Sequence, residues 1–392
     1  MSDDTSRTGL WFIGARGSVA TTATAGLLAL QAGLIEPFGC VTEQAPLSEA
    51  DLPGWDQLVV GGHDVASVPL DKRAEPLAEA GVLPHRVLAA VRDGLREVDS
   101  HIRPGYSPSL GEESQRSAAD RLAADLRDFR SRHRLGRVVV VNVSSTEPPA
   151  PPAPEHASLA ALERALDDPA STVLPPSSVA AYAALRAGCA FVDFTPSTGI
   201  FLPALVELAH QAGLPFAGRD GKTGETLLRT VLAPMFTARA LKVRAWAGTN
   251  LLGGGDGATL QDAANASSKL ESKARGLAQL LGEPVCAPLH IDNVPSLGEQ
   301  KTAWDHVAFD GFLGARMTLQ FTWTGLDSAL AAPLVLDLAR LMSAALAAGR
   351  SGAQSELAFF FKDPLVPAGA EVEHRFAEQT ARLHAWARGL GR

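Results

Sequence analysis

The sequence has 392 residues, 46% of them hydrophobic, and a formal net charge of -8; it can bury a large core split over two domains, and it carries no basic field to gather nucleic acid or an anionic membrane surface. Its three cysteines, Cys40, Cys189 and Cys286, are odd in number, scattered and without CxxC spacing, which argues against a disulfide or zinc framework and for reduced thiols in a cytoplasmic protein. The opening MSDDTSRTGL is acidic and polar where a secretory leader would be basic and then apolar, so no export is expected.

The first predicted strand lies in GLWFIGARG (9–17), an apolar run ending in closely spaced glycines, and a helix follows over ATTATAGLLALQAGL (20–34). FGCVTE (38–43) reads as the next strand. Together these resemble the first βαβ unit of a dinucleotide-binding domain, with a turn of the form Gly14-x-x-Gly17-x-x-Ala20 in place of G-x-G-x-x-G. Gly17 and Ser18 would offer backbone amides at a helix N-terminus to a pyrophosphate, although a plain strand-to-helix turn would read the same. The uncharged stretch 17–35 contains threonines, glycines and Gln31 and suits a soluble helix better than a membrane span.

RVVVVNVSSTEPP (137–149) reads as a strand buried on both faces of a parallel sheet, turning polar at its ligand-facing end. The proline-rich EPPAPPAPEH (147–156) is a stiff surface connection, after which VAAYAALRAGCAFVDFTPS (179–197) resumes the alternation of helix and strand. Beyond about residue 227 the strands become mixed in character, as in KVRAWAG (242–248) and ARMTLQFTW (315–323), with helices around SKLESKARGLAQLL (268–281) and over 328–348. The expected class is α/β: a Rossmann-type parallel sheet domain over 1–226 and 335–392, with an inserted α+β domain over 227–334.

Of 35 lysines and arginines only seven are lysine, and six of these lie beyond residue 220. Lysine differs from arginine in being a compact charge whose pKa can fall on burial, which proton transfer requires. In SKLESK, Lys269 and Lys273 are four apart and share one face of a helix, where like charges repel unless an anion such as a phosphate ester sits between them. Lys301 follows the loop VPSLGEQ, and Lys362 ends the apolar run LAFFF. AGRDGKTGET (217–226) resembles an anion-binding turn entering a helix but lacks Walker spacing. Three consecutive glycines before Asp256 in NLLGGGDG bring backbone close to a ligand or to another segment. The ten histidines show no HExxH spacing, so His63, His290 and His306 read as structural, and G-x-S-x-G is missing.

In order and at compatible spacing, PSSVAAYAALRAG, AGRDGKTGET, NLLGGGDG, SKLESK, VPSLGEQKTAWD, LDSALAAPLVLDL and FKDPL resemble the myo-inositol-1-phosphate (inositol-3-phosphate) synthase family. The resemblance is strongest over 175–365. It implies a cytoplasmic homotetramer binding NAD on the Rossmann domain, with the second domain serving catalysis and tetramerisation. It also implies a redox-neutral cyclisation of glucose 6-phosphate to myo-inositol phosphate, through transient oxidation, enolisation, aldol closure and reduction.

By the same resemblance, Lys269 and Lys301 stabilise the enolate and aldol oxyanions or shuttle protons, and Lys273 holds phosphate. Lys362, paired with Asp327, takes the hydroxyl proton during hydride transfer. Asp220 and Asp256 line the cavity, Asp256 serving cofactor and substrate alike, and Thr223, Gly224 and Glu225 contact phosphate. Gly14, Ala15, Gly17 and Ser18 match the pyrophosphate turn, Asp64 the adenosine-side acid, and Ser145 and Thr146 a strand end facing the cofactor. A monovalent or divalent cation is a further candidate cofactor.

The chain departs from the family pattern in its glycine turn, in Gly254-Gly255-Asp256-Gly257 where the family has N-N-D-G, and in Glu299 where the family has aspartate. Loss of two amides leaves room for a different hexose phosphate. The alternatives are therefore a sibling cyclase closing fructose 6-phosphate to a five-membered cyclitol phosphate and a simple NAD-dependent dehydrogenase.

Overall fold

A computed structural model describes residues 7–111, 113–253, 276–367 and 369–390. Six strands, β1 (Thr8–Ile13), β2 (Leu58–Asp64), β3 (Ile102–Pro104), β4 (Arg137–Asn142), β5 (Ala190–Asp193) and β6 (Pro215–Gly218), pair in parallel in the order β6-β5-β4-β1-β2-β3. The helices between them are α1 (Ser18–Gln31), α2 (Leu70–Glu79), α3 (His85–Asp99), α4 (Gln115–Arg132), α5 (Leu159–Leu166), α6 (Pro176–Arg186) and α7 (Pro203–Gln211).

The helices α1 to α3 cover one face of this sheet and α4 to α7 the other. That is why the valines of β4 are buried on both sides. α1 needs no charged face because the sheet, α3 and a later helix enclose it.

Helix α8 (Glu225–Ala238) leads from this layer into a mixed sheet of β7 (Lys242–Leu252), β8 (Leu289–Asn293), β9 (Gln300–Asp310) and β10 (Arg316–Leu326), ordered β10-β9-β7-β8. β9 runs antiparallel to both β7 and β10, while β7 and β8 are parallel. Its inner face packs Trp246 and Val307 against Ala233 and Phe236 of α8.

The chain returns through α9 (Asp327–Ala347), adds β11 (Gly352–Ala353) beside β6, and ends with α10 (Phe376–Ala387). By length and composition α9 could cross a membrane, but 72% of its apolar window is buried, so its hydropathy serves the core of the first domain. α8 and α9 run unbroken across 226/227 and 334/335, the expected points of division.

The strand expected in FGCVTE does not form. The chain there turns through a short 3-10 segment, Val41–Glu43, and the second strand is Leu58–Asp64. The amides of Val41 and Thr42, which a sheet neighbour would have taken, are bound instead by the carboxylate of Asp337 on α9.

Candidate active site

β1 lies between β2 and β4, and the connections leaving β1 and β4 run to opposite sides of the sheet, opening a crevice beyond their C-terminal ends. A cavity of about 620 Å³ occupies it, lined on one side by Gly14, Gly17 and Ser18, by Asp64 at the end of β2, and by Ser144 to Glu147 after β4.

Gly14 has φ +82°, and a Cβ there would lie 2.7 Å from the Ser144 Cα. The two loops therefore meet at the backbone, which only glycine permits. Gly17 is the N-cap of α1 and supplies no side-chain cap, leaving first-turn amides for an anion. The Asp64 carboxylate accepts the amides of Arg16 at 2.6 Å and Ala66 at 2.7 Å, and each oxygen keeps a lone pair for a hydroxyl.

This arrangement fits NAD: an uncapped helix end for pyrophosphate, and an acid at the end of the second strand for a ribose diol. His63 braces the turn, its carbonyl accepting the amides of Gly14 and Ala15. Its ring is buried, with Nδ1 accepting from Trp11 Nε1 at 2.9 Å and Nε2 3.2 Å from Asp125. Burial holds its pKa below the ordinary histidine value.

The opposite wall comes from the second sheet and α9: Leu252 and Gly253 beyond β7, Glu299 to Lys301 entering β9, and Asp327 with Ser328. Lys301 Nζ donates to Asp327 Oδ2 at 3.2 Å. Ser18 Oγ reaches Glu299 at 3.4 Å, so the start of α1 meets the turn entering β9 across the cavity.

A second lysine-aspartate pair corrects the pairing of Lys362 with Asp327. Lys362 Nζ donates to Asp220 Oδ1 at 2.7 Å, while Asp327 pairs with Lys301. The cause is backbone: Gly221 and Phe361 form an antiparallel bridge, and the Lys362 amide donates to the Asp220 carbonyl at 2.7 Å, which sets the two side chains together. Asp220 takes φ +59° there, a left-handed conformation that aspartate tolerates better than most residues.

Thr223 and Gly224 lead into α8, and Gly224 is its N-cap, again without a side-chain cap. A Cβ on Gly224 would come 2.9 Å from Trp323 Nε1 on β10. Glu225 is buried, with its carboxylate 2.7 Å from Arg229 and accepting from Asn250 Nδ2 at 2.8 Å. Among the described residues no group of three histidines, cysteines or acids gathers as a metal site would require.

Comparison with known proteins decides the family. A family model described as myo-inositol-1-phosphate synthase, labelled as NAD-binding, matches residues 8–388. Inositol-3-phosphate synthase 1 of Bacteroides thetaiotaomicron is 34% identical over 413 residues, covering 96% of this chain and 95% of that protein. The chain belongs to the myo-inositol-1-phosphate synthase family.

Two solved structures share the family's fold with it. The inositol-3-phosphate synthase of Caenorhabditis elegans superposes with a TM-score of 0.89 at 22% identity, covering 98% of this chain and 86% of that one. A myo-inositol-1-phosphate synthase-related protein from Thermotoga maritima gives 0.78 at 25% identity, covering 97% and 98%.

Within this family member, Gly14, Gly17, Ser18, Asp64, Ser145, Thr146, Lys301 and Asp327 line one cavity. Ala15 does not; its methyl packs against β2 at Gly62. Lys362 and Asp220 form their pair outside that lining, and Lys269, Lys273 and Asp256 lie outside the described residues.

Two features were missed from the sequence. Glu147, directly after Thr146, accepts both the amide and the hydroxyl of Ser177, at 2.9 and 2.5 Å, and burial pushes its pKa up. Lys222, passed over inside the anion-binding turn, is 4% exposed and donates to Gln379 Oε1 at 2.5 Å. Burial lowers its pKa to about 7.

Proposed function

We propose that this chain cyclises glucose 6-phosphate to myo-inositol phosphate, using NAD without net redox change. The observation that carries the reading is one cavity whose two walls differ in chemistry: a glycine turn with an uncapped helix on one side, and the Lys301–Asp327 pair on the other. Family membership over residues 8–388 supports it.

NAD, if held at this turn, would supply reversible hydride chemistry. The chain's part is to hold and polarise. The first turn of α1 and Asp64 would hold the cofactor's pyrophosphate and ribose. Lys301, held beside Asp327, would donate to the oxygen on which negative charge develops when a proton leaves the neighbouring carbon.

Thr223 and the uncapped start of α8 would receive the phosphate. Glu225 would help through its backbone amide, since its carboxylate is bound to Arg229 and Asn250. Lys362 with Asp220 would pass the hydroxyl proton. Lys269, Lys273 and Asp256 keep the roles the family resemblance gives them. A cytoplasmic homotetramer and an assisting cation belong to the same reading and rest on family resemblance alone.

Purified protein incubated with NAD and glucose 6-phosphate should yield a six-membered cyclitol phosphate by NMR, with no lasting rise in NADH absorbance. A five-membered product from fructose 6-phosphate would move the assignment to the sibling cyclase. NADH accumulating with product would make it a dehydrogenase. No cyclitol from either sugar would end the cyclase reading.

A further inference from the structure

We propose that Arg229 is a positioning residue that locks the candidate phosphate loop, Thr223-Gly224-Glu225, to the strand carrying Lys301; the proposal deepens the cyclase reading and rests on it. Arg229 Nη2 lies 2.7 Å from Glu225 Oε1 and 3.0 Å from Asp305 Oδ1. Glu225 is the first residue of α8, directly after Thr223 and Gly224. Asp305 stands on β9 four residues beyond Lys301, and the two-residue period of a strand puts 301, 303 and 305 on one face.

Two neighbours complete the cluster. Asn250 of β7, opposite Ala303 in the register, donates to Glu225 Oε2 at 2.8 Å. Trp246 Nε1 donates to Asp305 Oδ1 at 2.7 Å, and its ring lies 5.8 Å from the guanidinium. One cation therefore joins α8 to β9 directly and to β7 through its two carboxylate partners.

Adhesion alone does not account for this cluster. The side chains of Arg229, Glu225 and Asp305 are 5%, 1% and 0% exposed, and a buried ion pair is often no more stabilising than apolar residues of the same volume. Apolar contact between α8 and this sheet already exists further along the helix, where Ala233 and Phe236 meet Trp246 and Val307. Both carboxylates are met by the one nitrogen Nη2, whose two N–H groups keep fixed directions in the guanidinium plane. That geometry sets the angle between the loop that would receive the phosphate and the lysine that would face the reacting carbons. A misplacement of about 1 Å in such geometry can lower turnover by about 10²-fold.

The test compares Arg229→Met and Arg229→Lys with the unaltered protein. The Met variant should lose about tenfold or more in kcat and raise the KM for glucose 6-phosphate, with its Kd for NAD within about twofold. Amide hydrogen exchange should quicken together in 218–226 and 299–303, and the Lys variant should recover part of each effect. Kinetics and exchange like those of the unaltered protein would overturn the proposal, as would an equal loss of NAD affinity with faster exchange throughout the chain. If Arg229→Met does not fold, Asp305→Asn, which keeps the shape and removes the charge, is read by the same measures. If the unaltered protein forms no cyclitol, the cyclase reading fails separately, and exchange in the two segments still decides whether Arg229 locks them.

Discussion

The two walls of the cavity are built by different means. On the wall proposed for the cofactor the shape is mostly backbone: the Gly14–Ser144 contact, the uncapped first turn of α1, and an Asp64 carboxylate itself aimed by two amides. On the opposite wall it is side chains, Lys301 paired with Asp327, and beyond that lining further ionised groups are paired in the same way: Lys362 with Asp220, and Arg229 with Glu225 and Asp305. Backbone recognition needs one local segment of the right shape. Paired charges need segments distant in the chain to arrive together, since a lone buried charge is costly.

The strongest way to break this comparison is to remove Lys301. Lys301→Ala should lower cyclase turnover by roughly 10²- to 10³-fold, the range for losing one donor to a developing oxyanion. NAD affinity, measured by fluorescence titration, should stay within about twofold. A variant keeping more than about a tenth of normal turnover would take Lys301 out of the chemistry. A parallel loss of NAD affinity would show that the two walls do not act separately.

A double-mutant cycle sharpens the comparison. Lys362→Met and Asp220→Asn, alone and combined, should show a coupling of about 1–3 kcal/mol in denaturant unfolding, as residues in direct contact do. Lys362→Met with Asp327→Asn should show a smaller coupling than the Lys362–Asp220 pair, which is in direct contact. The reverse result would restore the pairing implied by the family resemblance and contradict the 2.7 Å contact.

The same contrast explains what was legible in the sequence. The turn at Gly14 and Gly17, the buried valines of β4 and the change of pattern after α8 are local signals, and each lies where it was read. FGCVTE misled because its apolar pattern says nothing about Asp337, almost 300 residues away, which captures its amides. The partner of Lys362 was illegible for the same reason, being fixed by the bridge between Gly221 and Phe361. Arg229 did leave a trace: it stands four residues after Glu225, the spacing of a helical ion pair. Nothing local announced Asp305, which completes the cluster from another strand.

Lys222 fits neither wall, and the comparison is sharpened most gently there. Its ammonium is buried against the rings of Phe359 and Phe376 and donates to Gln379, with no carboxylate bridged to it among the described residues. Nearby His374 is itself held below its usual pKa by burial, and Glu373 is occupied by Arg375. Burial lowers the Lys222 pKa from 10.5 to about 7, so between these values the unfolded chain binds a proton that the folded chain does not. Stability from this group is therefore full above the unfolded value, falls as pH drops through that window, and is lost below about 7. The slope is at most about 1.4 kcal/mol per pH unit. Lys222→Met should remove this slope, so that its gain in Tm over the unaltered protein is largest near neutral pH and narrows towards pH 10. Thermal unfolding across that range checks it, and an equal slope in both proteins would mean that Lys222 stays charged and that this part of the interior tolerates an unpaired cation after all.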